Sequence, residues 1–420
     1  MSRLLQFARI IWRWSVPEGL RYRGHVMAQA CLSVLRVQAS RFNESLETFV
    51  SDLSSRWPGR GRLRVVGLFS ASHGIARGAG LTCRALDYLG APYVRIDASS
   101  LVHGPQEAHL LQGRAMGWII QMNPPELAGI VRNGGARAML GPRYGYWAWE
   151  LPRAPDAWRP GEEHVNEIWA ISAYTAEAFR SFSKPVRAMP HPIVTDDYDH
   201  VMPAPRRAPF TAIAFFDFNS SVARKNPLGA IRAFKQAFGE DTAVWLTIKT
   251  QNGHLFPDIL AALRAESGGN IGIVDEVWPY DRVLSEIKAA DVLVSLHRAE
   301  GFGLIMAEAM ALGTPVIATA WSGNLDFMDA TSALLIPFAL VAVEDAQGFY
   351  QGQSWADPDI DQAAASLRRL RAEPGLGQDL ARAAAQAVRT RLSPEVWFSH
   401  FPASLRRRIL RSARRRGANP

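Results

Sequence analysis

Two acids eight positions apart, Glu300 and Glu308, lie in the stretch ADVLVSLHRAEGFGLIMAEAMALGTPVIAT that covers 290–319. Asp291 to Leu296 and Pro315 to Thr319 are short apolar runs of the kind that form buried parallel strands. Between them come Gly301 and Gly303, then a helical segment predicted from about Leu304 to Leu312 and closed by Gly313. A helix starting at the carboxyl end of a parallel strand presents unpaired N–H groups, and glycines let a ligand approach the backbone, so the unit suits an anion. A carboxylate repels phosphate, so the two glutamates suit sugar hydroxyls instead. Their spacing is slightly over two helical turns, which lets them grip different parts of one ligand.

Cationic groups that could answer a diphosphate occur at two other strand ends. Arg224 and Lys225 lie between a strand predicted over Thr211 to Phe216 and a helix from about Pro227, and Lys249 closes the strand Val244 to Lys249. A further group is RYGYWAWELPRAPDAW, from Arg143 to Trp158, where Trp147, Trp149 and Glu150 offer aromatic faces and an acid that suit an acceptor pocket, or equally a packed strand end. Asn123 follows a strand predicted over Ala115 to Met122.

The elements that must position these groups alternate strand and helix. Residues 1–24 mix aromatic and basic side chains, and 25–56 have helical periodicity. Leu63 to Ser70 reads as the first strand, and it enters a loop with Gly74, Gly78 and Gly80 that lacks the GxGxxG spacing of a dinucleotide site. Strands follow at Tyr93 to Asp97, Val165 to Ser172 and Val186 to Met189, with Ser172 placed to start a helix. The stiff segment 202–209, MPAPRRAP, marks a hinge. Gly269 to Val274 and Leu334 to Pro337 read as strands of the second half, Trp355 to Pro358 as a helix start, and Ile360 to Leu392 as predominantly helical.

The 290–319 stretch resembles the glutamate–seven residues–glutamate signature of retaining, nucleotide-sugar-dependent glycosyltransferases, group 1, with the GT-B architecture. The likeness includes Gly301-Phe302-Gly303 and Gly313-Thr314-Pro315-Val316-Ile317-Ala318-Thr319. The Gly-Tyr-Trp-x-Trp-Glu-Leu segment resembles a bacterial polysaccharide-associated branch. The resemblance implies an α/β fold of two Rossmann-like domains facing across a cleft, with boundaries at 1–64 for an N-terminal extension, 65–201 for an acceptor domain, 202–209 for a linker, 210–392 for a donor domain and 393–420 for a crossover helix and basic tail. It implies that Glu308 holds the nucleotide ribose. Glu300, with Gly301, Phe302, Gly303, Leu304 and Ser322, meets the donor sugar and diphosphate. Lys225, with Arg224 or Lys249 as its partner, meets the leaving charge, and His73 and Arg77 face the cleft. His73 and His103 are both candidates for the acceptor-side base. The implied donor is a UDP- or GDP-sugar, the acceptor a polysaccharide or lipid-linked oligosaccharide, and transfer retains configuration. No Asp-x-Asp motif calls for a metal, and no cofactor is expected. A sugar phosphorylase or other nucleotide-sugar enzyme on the same fold, and a noncatalytic, basic nucleic-acid-binding or scaffold protein, remain as alternatives.

The 420 residues carry a net charge of +8, and the seven arginines of 401–420 supply nearly all of it without one acid among them. That tail reads as a contact for an anionic membrane surface rather than as a specific nucleic-acid module. Cys31 and Cys83 lack metal-ligand spacing, no run is long enough to span a bilayer, and the expected location is cytoplasmic, peripheral to the inner membrane.

Overall fold

The computed structural model describes residues 61–71, 73–102, 108–134 and 139–414. Segments 1–24 and 25–56, Cys31, His103 and the end of the tail lie outside the described residues.

In chain order the first half runs β1 (Leu63–Gly67), α1 (Gly74–Tyr88), β2 (Tyr93–Asp97), β3 (Gly113–Arg114), β4 (Gly117–Gln121), α2 (Pro124–Gly134), β5 (Met139–Leu140), β6 (Arg143–Trp147), β7 (Glu167–Ala170), α3 (Ala173–Ala178), β8 (Val186–Ala188) and α4 (Asp196–Asp199). β3 and β5 pair with each other, and the other strands form one parallel sheet in the order β2-β1-β4-β6-β7-β8. All five residues of β4 and of β6 are buried, as expected for central parallel strands covered on both faces. Ser172 caps α3 by accepting from the Thr175 amide.

The second half runs β9 (Phe210–Phe215), α5 (Val222–Lys225), α6 (Pro227–Phe238), β10 (Val244–Thr250), α7 (Pro257–Glu266), β11 (Ile271–Asp275), α8 (Tyr280–Ala289), β12 (Val292–Ser295), α9 (Leu304–Ala311), β13 (Val316–Thr319), β14 (Leu334–Ile336), β15 (Phe338–Ala342), β16 (Ser354–Pro358), α10 (Ile360–Ala372) and α11 (Pro374–Arg391). Its sheet is parallel in the order β11-β10-β9-β12-β13-β14. Chain direction across the sheet reverses between β9 and β12, so the loops leaving those neighbouring strands diverge and open a crevice at their carboxyl ends. Arg224 and Lys225 follow β9, and Glu300 follows β12.

One expectation is corrected here. Trp355 to Pro358 does not start a helix: it is β16, antiparallel to β15, with Trp355 and Ala356 buried. The helix begins only at Ile360, where the Asp359 side chain accepts from the Gln362 amide. The helical region 360–392 is two helices, because Pro374 can open a helix but cannot continue one.

The last helices, α12 (Pro394–Ser399) and α13 (Ala403–Arg414), return to the first half. Trp397 Nε1 donates to Tyr146 Oη at 3.3 Å, Phe401 packs on Trp169 with ring centroids 4.8 Å apart, and the Ile193 amide donates to Leu392 O at 2.7 Å. One buried apolar cluster passes through both halves and includes Ile171, Met189, Phe302 and Met306. The architecture is therefore two Rossmann-like domains facing each other, joined by shared packing on top of the linker.

Candidate active site

The loop after β12 is held by a turn after β13. The Glu300 amide donates to Ser322 Oγ at 2.8 Å, and the Gly323 amide returns a bond to Glu300 O at 2.9 Å. Ser322 has φ +79, a left-handed conformation that costs a non-glycine residue energy. A Cβ on Gly323 would run into the Gly301 carbonyl oxygen, so no side chain fits there. Gly303 has φ +91 and caps α9 without any side-chain acceptor, leaving the first amides of that helix to the crevice.

Glu300 is 7% exposed and lies between two cations. Its Oε1 takes the Lys225 ammonium, and its Oε2 is 3.4 Å from Arg224 Nη1. Arg224, 3% exposed, is fixed by donating to Ala299 O at 2.8 Å and Ser220 O at 3.2 Å. Left-handed Asn226 locks the following turn: its Oδ1 accepts from the Gly229 amide, and its Nδ2 donates to Leu296 O at 2.9 Å, tying α6 to the end of β12. Burial alone would raise the Glu300 carboxyl. Lys225, Arg224 and His297 outweigh that and hold it at about 2, so it is ionised at neutral pH. Burial lowers the Lys225 ammonium against the pull of Glu300. His297, fully buried, has Nδ1 3.0 Å from Ser295 Oγ and Nε2 3.2 Å from Asn324 Oδ1, bracing the same loop.

Glu308 meets a different set of groups. It is 2% exposed, and its Oε1 accepts from Arg77 Nε at 3.0 Å, from Tyr280 Oη and from Tyr198 Oη at 3.4 Å. Arg77 comes from α1 of the first domain and lies 3.7 Å over the Tyr280 ring while donating to its hydroxyl at 2.6 Å. Burial works against the Arg77 charge, and Glu308 more than offsets it. Tyr280 is pushed up first by burial and then by the Glu308 carboxylate, so it stays a donor. Neither tyrosine was singled out in the sequence, since nothing local marks them.

The first domain touches the Glu300 loop directly. Ser172 Oγ and Thr175 Oγ1 donate to Gly301 O at 2.6 and 3.1 Å, and a Cβ on Gly301 would lie 2.9 Å from Trp149 O. Glu150 closes the other side: its Oε2 accepts from Tyr350 Oη at 2.9 Å, and its Oε1 is 3.9 Å from Arg224 Nη2. Arg224 thus bridges a carboxylate from each domain. Tyr350 is carried by the loop between β15 and β16, whose Gln353 also exchanges bonds with the Arg153 backbone across the cleft. That hairpin is the element whose misreading hid Tyr350.

Other predicted residues are placed elsewhere. Trp147 is fully buried and packs on Phe179 and Phe182, so it offers no face to an acceptor, which corrects that expectation. Trp149, 8% exposed, donates to Arg153 O and packs against Trp158 and Tyr350. Asn123 Oδ1 accepts from the Ala148 amide at 2.8 Å and so fixes the end of β6. His73 caps α1 through Nδ1 at 3.3 Å from the Ala76 amide, and burial lowers its pKa against the pull of Asp217. Lys249 lies 3.5 Å from Gln251 Oε1 and 5.7 Å from the Trp278 ring. Phe302 is buried between His191 and Phe327. Among the described residues no group of three or more His, Cys, Asp or Glu is arranged to hold a metal.

Residues 218–386 match the family model described as glycosyl transferases group 1. Among solved structures, sucrose-phosphate synthase of Thermosynechococcus elongatus aligns with a TM-score of 0.59 at 15% identity, over 86% of this chain and 100% of that one. HepE of Anabaena, in complex with UDP and glucose, aligns with a TM-score of 0.56 at 12% identity, over 85% and 100%. TarM of S. aureus aligns with a TM-score of 0.50 at 14% identity, over 69% of this chain and 55% of that one, so the chain spans little more than half its length. No curated protein matches the sequence. The family match covers less than half of the chain and lies within the domain that builds the Glu300 site, and the likeness to solved structures shows that the chain has the GT-B fold.

Proposed function

We propose that the chain transfers a sugar from a UDP- or GDP-sugar to a polysaccharide or lipid-linked oligosaccharide acceptor, with retention of configuration. The observation that carries this is Glu300 ionised between Arg224 and Lys225 at the switch point of the second sheet, beside the uncapped start of α9. An ammonium has three donors and Glu300 takes one, so Lys225 keeps capacity for a phosphate oxygen. As the bond from the sugar C1 to the diphosphate breaks, its electron pair goes to the phosphate, and Lys225 with the first α9 amides stabilises that charge where it grows. Glu300 accepts from the hydroxyls of the transferred sugar, and Glu308 from the ribose. The acceptor oxygen bonds to C1 on the face the diphosphate leaves, and its proton passes to the departing phosphate oxygen. Glu150, held by Tyr350 and Arg224, is the group we assign to the acceptor side. The UDP and glucose in the HepE complex support a nucleotide-sugar reading on the same fold.

A panel of UDP- and GDP-sugars, read by calorimetry and by release of nucleoside diphosphate, tests this. The expected result is binding of one donor class, with turnover when acceptor is added. Sugar release that depends on inorganic phosphate would assign a phosphorylase instead.

A further inference from the structure

The outer face of α13 carries a pattern that the Glu300 site does not use. Leu405, Ile409 and Ala413 recur every fourth residue and are buried against the first domain, where Leu405 Cδ1 fills the space beside Gly117. Arg407, Arg411 and Arg414 are exposed, and their spacing of four and three puts them on one stripe. Arg415 and Arg416 follow in the sequence. Other arginines of the chain, such as Arg84, Arg371 and Arg391, are paired with aspartates. Among the described residues, no ion pair involves the three stripe arginines.

Beside the stripe, a slot of about 340 Å³ opens between the end of α1 and the last two helices. Tyr88, Leu89, Phe398, Ile409 and Leu410 line it, and Glu395 is the one charged side chain there. Tyr88 is 46% exposed. Leu410 lies in the same helical row as Arg406 and Arg414, four residues to either side, so the slot opens between cations. An apolar recess flanked by guanidinium groups that no carboxylate pairs is complementary to a phosphate headgroup carrying a hydrocarbon chain. A nucleic acid would use the arginines but leave the recess unfilled.

We propose that this face docks the chain on an anionic phospholipid surface, with the α13 stripe on headgroup phosphates and the slot around an acyl chain. α1 runs from the facing ends of the domains to Tyr88 over about 22 Å at the rise of a regular helix, so docking leaves the Glu300 site clear of the bilayer. The surface and the site are separate, and the proposal does not depend on the reaction assigned above.

Co-sedimentation of the full chain with vesicles tests it, using phosphatidylcholine alone and an equal mixture with phosphatidylglycerol. The full chain should partition onto the mixed vesicles and not the neutral ones. Arg407→Glu, Arg411→Glu and Arg414→Glu together should lower partitioning by roughly 100-fold or more. Leu410→Ser should lower it by roughly fivefold. Unchanged melting of both variants would show that the fold is kept. Equal partitioning of the triple variant, equal binding to neutral vesicles, or binding to duplex DNA with none to mixed vesicles would each overturn the proposal.

Discussion

Glu300 and Glu308 share one loop and helix, yet they are neutralised from opposite sides. Glu300 takes its cations from its own domain: Arg224 and Lys225 reach it from α5, which follows β9, a strand that pairs with β12. Glu308 takes its cation from the other domain, through Arg77 of α1. The first arrangement draws both cations from the same domain as the carboxylate, although Arg224 also reaches Glu150 across the cleft. The second exists only while the domains are together, so it couples the proposed ribose ligand to their contact. One site therefore combines a carboxylate whose cations come from its own domain with one whose cation comes from the other.

Substitutions at the two ends should separate these roles. Lys225→Ala should have the largest effect, lowering kcat by roughly 10²–10³-fold if the ammonium meets charge that grows only in the transition state. Donor turnover and donor binding measured side by side would check it, and the loss belongs in turnover. Gly323→Ala should disrupt the same end structurally, because its Cβ meets backbone rather than a movable side chain. A loss of about 3 kcal/mol or more is expected in thermal or denaturant unfolding. At the interdomain end, Arg77→Met should cost about 2 kcal/mol by removing a charged hydrogen bond from a buried carboxylate, with Tyr280 and Tyr198 still in place. Limited proteolysis of the 202–209 linker should become faster in that variant, whereas Lys225→Ala should leave it unchanged.

A smaller effect comes from pH. His191 is buried between Tyr146 and Phe302, at ring-centroid distances of 5.3 and 5.2 Å, and its Nδ1 has no hydrogen-bond partner. Burial lowers its pKa from 6.5 to about 4. The fold thus favours the neutral ring, and the stability this gives is present above 6.5 and lost as pH falls through about 4. His191→Phe should remove that part of the pH dependence, seen as a smaller difference in melting temperature between pH 7 and about 4.5. An identical slope in the two proteins would remove His191 from the account.

The GT-B architecture was legible in the sequence because buried parallel strands are continuous apolar runs, and those around Asp291 to Leu296 and Pro315 to Thr319 sit where the structure has β12 and β13. The glycine loop and α9 were legible for the same reason: Gly303 and Gly313 punctuate them. What joins the domains was not. Arg77 and Glu308 are 231 positions apart, Glu150 and Tyr350 are 200 apart, and no local period links such pairs. The β15–β16 hairpin was misread because Trp-Ala-Asp-Pro carries a helix-start residue while its strand partner lies beyond an intervening loop. Trp147 misled in the opposite way, since an aromatic-rich strand end looks the same in sequence whether its rings face a ligand or the core.

The proposed transfer requires a nucleotide held between the Gly301–Gly303 loop and Glu308. Calorimetric titration of UDP and GDP into the intact chain and into Glu308→Ala tests it most directly. The expected outcome is saturable binding of one nucleotide by the intact chain and an affinity lower by roughly 10–100-fold in the variant, the loss of a charged hydrogen bond to the ribose. Equal affinity in the two proteins would contradict it.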